Sequence, residues 1–98
     1  MTTATYATDL HPALCTSPGD REAIADYGRY IRFSVAPLAG LPGEFEVRRE
    51  VREFPAGGND YWRELTGEPM IELSAEQARR RGEQWALAMA RKLARAAK

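Results

Sequence analysis

From Arg29 to Ala36 apolar and polar side chains alternate. Ile31, Phe33 and Val35 fall on one side and Arg32 and Ser34 on the other, the period-two pattern of a half-buried strand. Pro37, Gly40, Pro42 and Gly43 then punctuate a loop. Glu44 to Phe54 alternates again: Phe45, Val47 and Val51 point one way, and Glu44, Glu46, Arg48, Glu50 and Arg52 the other. Phe54 is out of phase, which predicts a bulge or the strand's end near Glu53. Pro55 to Asn59 reads as a hairpin loop. Asp60 to Leu65 reads as a third strand, with Tyr61 and Leu65 on one face and Trp62 on the other. Thr66 to Pro69 turns, and Met70 to Leu73 is extended.

At Ser74 the period changes. Ser74-Ala75-Glu76-Gln77 has the form of a capping box, and strong helix formers follow to about Ala97, interrupted by Gly82. At about 100° per residue, Ala78, Gly82, Trp85, Ala86, Met89, Leu93 and Ala96 share one face. Gly82 on that face predicts the close approach of a strand backbone. Upstream, Ser17 as N-cap, Pro18 in the first turn and Asp20 predict a short helix ending near Asp26, with Ile24 and Tyr27 inward and Gly28 as its stop. Residues 1–17 show no period and read as a flexible arm. The expected fold is α+β: a three-stranded antiparallel meander on a long C-terminal helix, with a short N-terminal helix. Residues 18–98 form one domain, and short connections favour antiparallel pairing.

Composition narrows the class without changing that picture. The 98 residues carry 14 basic and 14 acidic groups, one His and one Cys, and 44% are hydrophobic, the balance of a soluble domain with a small core. The longest apolar run, Trp85 to Ala90, is too short to span a bilayer. Met1 to His11 lacks the basic and apolar blocks of a secretory signal. A lone Cys fits a reducing compartment, so the expected location is the cytoplasm. Arg outnumbers Lys twelve to two, the usage of a GC-rich bacterial or phage genome.

Charge is unevenly spread. Residues 74–98 hold seven basic groups against Glu76 and Glu83, so the end of the chain is basic and the rest acidic. The helix side opposite the core stripe carries Arg80, Gln84, Arg91, Arg95 and Lys98, with Leu87 stranded among them. An apolar centre in a polar rim is interface anatomy, so Arg80, Gln84, Leu87, Arg91 and Arg95 are the candidate partner-binding residues. The same arginines suit phosphates. Tyr30, Phe54 and Trp62 are placed together on the outer sheet face, where they could stack bases or be covered by the arm from Tyr6 to Leu14. Glu46, Glu50 and Glu64 on that face disfavour nucleic acid. His11 and Cys15 are four apart, but two ligands do not make a metal or nucleophile site. Asp60 and Glu64 have no further catalytic group beside them, and Gly57-Gly58 lacks the Lys and helix of a phosphate loop.

The β-β-β-α order over roughly residues 29–93, with Asp20 to Tyr27 as a preceding helix, resembles the double-stranded-RNA-binding domain and small bacterial proteins of that topology. The resemblance implies that the last helix would hold phosphates through Ser74 to Arg81. Ala75 and Glu76 stand where that family has Lys, and the loop Pro37 to Gly43 lacks its groove-reaching His, so the resemblance speaks to fold more than function. The expected function is a non-enzymatic protein–protein interaction module, its partner an unidentified protein or a second copy of the chain. The alternatives are nucleic-acid binding by the basic helix and a phage-encoded inhibitor of a host complex. No catalytic, cofactor or metal set is expected, and no membrane partner.

Overall fold

A computed structural model describes residues 3–10 and 17–97. The central elements follow the alternation just traced. Strand β2 (Ile31–Pro37) and strand β3 (Phe45–Glu53) pair antiparallel, with Ile31 opposite Val51 and Val35 opposite Val47. Because facing residues share a side of the sheet, this register gathers Ile31, Phe33, Val35, Phe45 and Val47 on one face, and all five are buried. The loop between the strands turns through Gly40 and Gly43, both at positive φ.

Two differences change the expected three-stranded meander. Strand β1 (Ala4–Ala7), from the segment that shows no sequence period, pairs antiparallel with β2 and sets Tyr6 opposite Phe33. Their rings stack with centroids 5.0 Å apart. A one-turn 3-10 helix follows at Thr8–Leu10, with Thr8 fully buried and Asp9 against Gly28. A Cβ on Gly28 would stand 3.0 Å from the Asp9 backbone, a tight approach that Asp9 would have to relieve by a few tenths of an ångström. The segment lacks a period because only four residues are strand.

The second difference lies beyond β3. Strand β4 (Tyr61–Glu64) pairs with Glu50 to Glu53, and strand β5 (Met70–Glu72) pairs with Phe45 to Val47. The stretch expected to be merely extended is therefore a fifth strand. β4 and β5 share one lane along β3, so five strands make four lanes, ordered β1, β2, β3 and then β4 with β5. The Arg49 side chain donates from Nη2 to the Glu68 carbonyl at 2.9 Å, holding the loop that joins these two strands.

Helix α1 (Pro18–Tyr27) is capped by the Ser17 hydroxyl, which accepts the Asp20 amide at 3.1 Å. It runs past Asp26 and passes into a 3-10 turn at Gly28–Tyr30, which delays β2 to Ile31. Helix α2 (Ala75–Ala96) is capped by Ser74, whose hydroxyl accepts the Gln77 amide at 3.1 Å. It lies over β2 and β3 with Ala78, Gly82, Ala86 and Ala90 buried. What approaches Gly82 is a ring rather than a strand backbone. A Cβ there would stand 2.8 Å from Phe33 Cγ and closer still to the ring edge. Helix α1 packs beside α2 through Ala23 and Ile24. Among the described residues no helix is long and apolar enough to cross a membrane.

Candidate functional site

On the face of α2 read from sequence as a partner surface, Arg80, Gln84, Arg91 and Arg95 are exposed and Leu87 is not. Leu87 is half-buried and packs against the core with Ala94. It was expected to be stranded because the helical wheel reserved a single stripe for the sheet. The neighbouring α1 claims a second stripe. Arg91 belongs to the same junction. Its Nε and Nη2 donate to Asp20 of α1 at 2.7 and 2.9 Å, a two-pronged grip on a buried carboxylate. That bond, ahead of an opposing desolvation effect, raises the Arg91 pKa above the ordinary guanidinium value. Arg80 donates to Glu76 one turn earlier at 3.3 Å. Only Gln84 and Arg95 of the five remain exposed without an ion pair among the described residues.

The other arginines of the basic run are also engaged within the chain. Arg79 lies 3.6 Å from Glu76 and 3.5 Å from Glu83, and Arg81 donates to Glu72 of β5 at 2.8 Å. The charge asymmetry seen along the sequence is thus partly neutralised in space, by acids of α1, α2 and β5.

The aromatic platform expected on the outer sheet face is not assembled. Trp62 does lie there, opposite Arg52, with the Arg32 guanidinium over its ring at 4.1 Å. Arg32 in turn donates twice to Glu50, at 3.0 and 3.1 Å. Tyr30 and Phe54 go elsewhere. They meet edge to face, centroids 5.3 Å apart, on the side of the sheet that carries α2. Of the proposed carboxylate pair, Asp60 sits 3.5 Å from Arg52, whereas Glu64 faces Glu50. His11 and Cys15 lie outside the described residues, as do residues 11–14 of the arm.

Tyr30 and Phe54 form one wall of a cleft of about 690 Å³ between the C-terminal half of α2 and the strands β3 and β4. Val51 and Leu65 contribute from the sheet side, Met89, Leu93 and Ala96 from α2, and Tyr27 from the end of α1. The cleft exists because α2 lies over β2 and β3 while α1 packs on its opposite flank, which leaves β4 without a helix against it. Its apolar residues are only partly covered: Phe54 is 55% exposed, and Met89 and Leu93 are half-buried. The charged groups at its margin are mostly spoken for. Arg63 donates to Glu53 at 2.7 Å, and Arg52 is paired with Asp60. Lys92 also lines the cleft and has no acidic partner among the described residues.

Sequence reasoning assigned Met89 and Leu93 to the core stripe and missed that their flank is open. The available signal was Phe54: an aromatic that breaks a strand's phase, just before a loop, is not placed by that strand's own core face. Among the described residues no cluster of three or more His, Cys, Asp or Glu is arranged to hold a metal ion. No protein-family model, curated protein or solved structure matches the chain.

Proposed function

We propose that this chain is a non-enzymatic protein-binding module whose partner seats in the cleft between α2 and the β3–β4 strands. The observation that supports this reading is the open apolar cleft itself: aliphatic and aromatic side chains around about 690 Å³, with one cation at the margin lacking an acid of its own. An apolar centre bordered by charge is how protein interfaces are built, and aromatic and Met side chains are common in such centres. The single carboxylate among the lining residues, Glu53, already holds Arg63. The basic run of α2 supports nucleic-acid binding less well, because Arg79, Arg80, Arg81 and Arg91 each have an acidic partner in the fold.

The test is a photo-crosslinking residue at position 54 of the full chain, with position 48 on the outer sheet face as the control. One dominant polypeptide adduct is expected from position 54, lost on adding Leu93→Asp. Equal adducts from both positions, or none from 54, would overturn the reading. In parallel, light scattering during size exclusion with a short RNA duplex at low salt should show no shift. A shift that vanishes with salt would move the function to nucleic acid.

A further inference from the structure

We infer that the occupant of the cleft is an amphipathic helix of a partner protein, lying antiparallel to α2 and carrying acidic residues in its first turns. This rests on the reading of the cleft as the partner-binding surface and specifies what that surface selects. The argument begins with which backbone groups the cleft offers. It opens on the face of β3 and β4, lined by the side chains of Val51, Leu65, Met89 and Leu93. A strand added to a sheet docks at an edge, through main-chain hydrogen bonds, whereas a helix lays its side chains on a face. The lining therefore fits an i, i+3, i+4, i+7 stripe of apolar residues better than an extended segment.

The position is also the one a helix would take in the existing layer. Helix α1 already packs on one flank of α2, and the cleft runs along the other, where β4 has no helix against it. A helix there would complete a helical layer over the sheet at the usual interaxial spacing of about 8–10 Å.

Charge sets the direction. Lys92 lies in the last turns of α2 and has no acidic partner among the described residues, whereas Arg63 on the strand side is already held by Glu53. An antiparallel partner brings its N-terminal turns to this end, where acidic side chains are favoured both by Lys92 and by that helix's own dipole. The C-terminal end of α2 and the N-terminal end of the partner would then carry opposite partial charges.

The experiment is a displayed library of helix-forming segments of roughly 14 residues, about four turns. Apolar and flanking positions are randomised, and the intact 98-residue chain is the bait. A second library interrupts the same segments with Pro. Enriched clones are expected from the helical library alone, with acids in the first two turns. Their affinity should fall at least about threefold on Lys92→Glu, the scale of one exposed charge contact reversed, and be lost on Leu93→Asp. Lys92 is exposed, so its replacement leaves the fold intact. Basic-flanked winners, indifference to Lys92→Glu, or an empty helical selection would each overturn the inference. If the Pro-interrupted library yields the Leu93-dependent binders, the cleft still docks a partner but that partner is not a helix. If neither library binds and position 54 crosslinks nothing, the docking reading falls as well.

Discussion

Among the described glycines, Gly82 leaves the least room for a side chain, because the Phe33 ring lies against it. Glycine inside a helix costs about 1 kcal/mol relative to alanine, yet Gly82→Ala is expected to destabilise, because the added methyl would enter the space of a fully buried ring. Overpacking of that kind costs about 1–3 kcal/mol. Urea unfolding should show a lower midpoint, and a partial recovery in Gly82→Ala with Phe33→Leu would locate the strain in the ring. The sequence disclosed that something approaches Gly82, since a helical stripe of small residues implies a close neighbour. It could not disclose a ring rather than a backbone, because that depends on the tilt of α2 over β2. Ser74→Ala is a milder change at the same scale: losing the hydroxyl that accepts the Gln77 amide should cost about 1 kcal/mol, measurable as a fall in thermal midpoint.

At the scale of elements, the packing of α2 against the core decides what Leu87 is for. Leu87→Asp places a carboxylate in a half-buried apolar contact, and a loss of about 2 kcal/mol is expected from the missing side chain and the poorly solvated charge. The amides of α1 should lose hydrogen-exchange protection before those of β2 and β3. Unchanged stability with altered assembly would instead restore the exposed reading of Leu87. The Arg91–Asp20 bond ties α1 to α2. A raised guanidinium pKa means its contribution is fully present below the ordinary Arg value and is lost only as pH climbs past it. The α1–α2 junction should therefore show no Arg91 titration across neutral and mildly alkaline pH, as hydrogen exchange can check. The elements themselves were largely legible: Ser17, Ser74 and the alternations of 31–35 and 45–51 mark both helices and the two central strands. The second stripe of α2 was not, because Ala90 and Ala94 carry little apolar signal and reveal nothing about a helix packed on them.

For the whole molecule, coverage is what the sequence left least visible. The first strand has only four residues, too few for periodicity, yet it stacks Tyr6 on Phe33 and leads to the buried Thr8. Deleting residues 1–10 should uncover that ring and lower the thermal midpoint by roughly 10 °C or more, the shift that about 2 kcal/mol produces in a domain of this size. By contrast, Phe54→Ser should change stability by no more than about 0.5 kcal/mol, as exposed substitutions do, while abolishing the partner capture proposed for the cleft. A chain can thus be intact and functionally silent, and paired calorimetry and crosslinking distinguish the two effects. The divided lane along β3 adds a final consequence. Its outer border is four residues of β4 and three of β5, interrupted by a loop with Gly67 and Pro69. A border so broken is a poor template for another strand, and short edges are how soluble proteins avoid stacking into fibrils. An apolar cleft can therefore stand open beside this margin with little risk of polymerising through it.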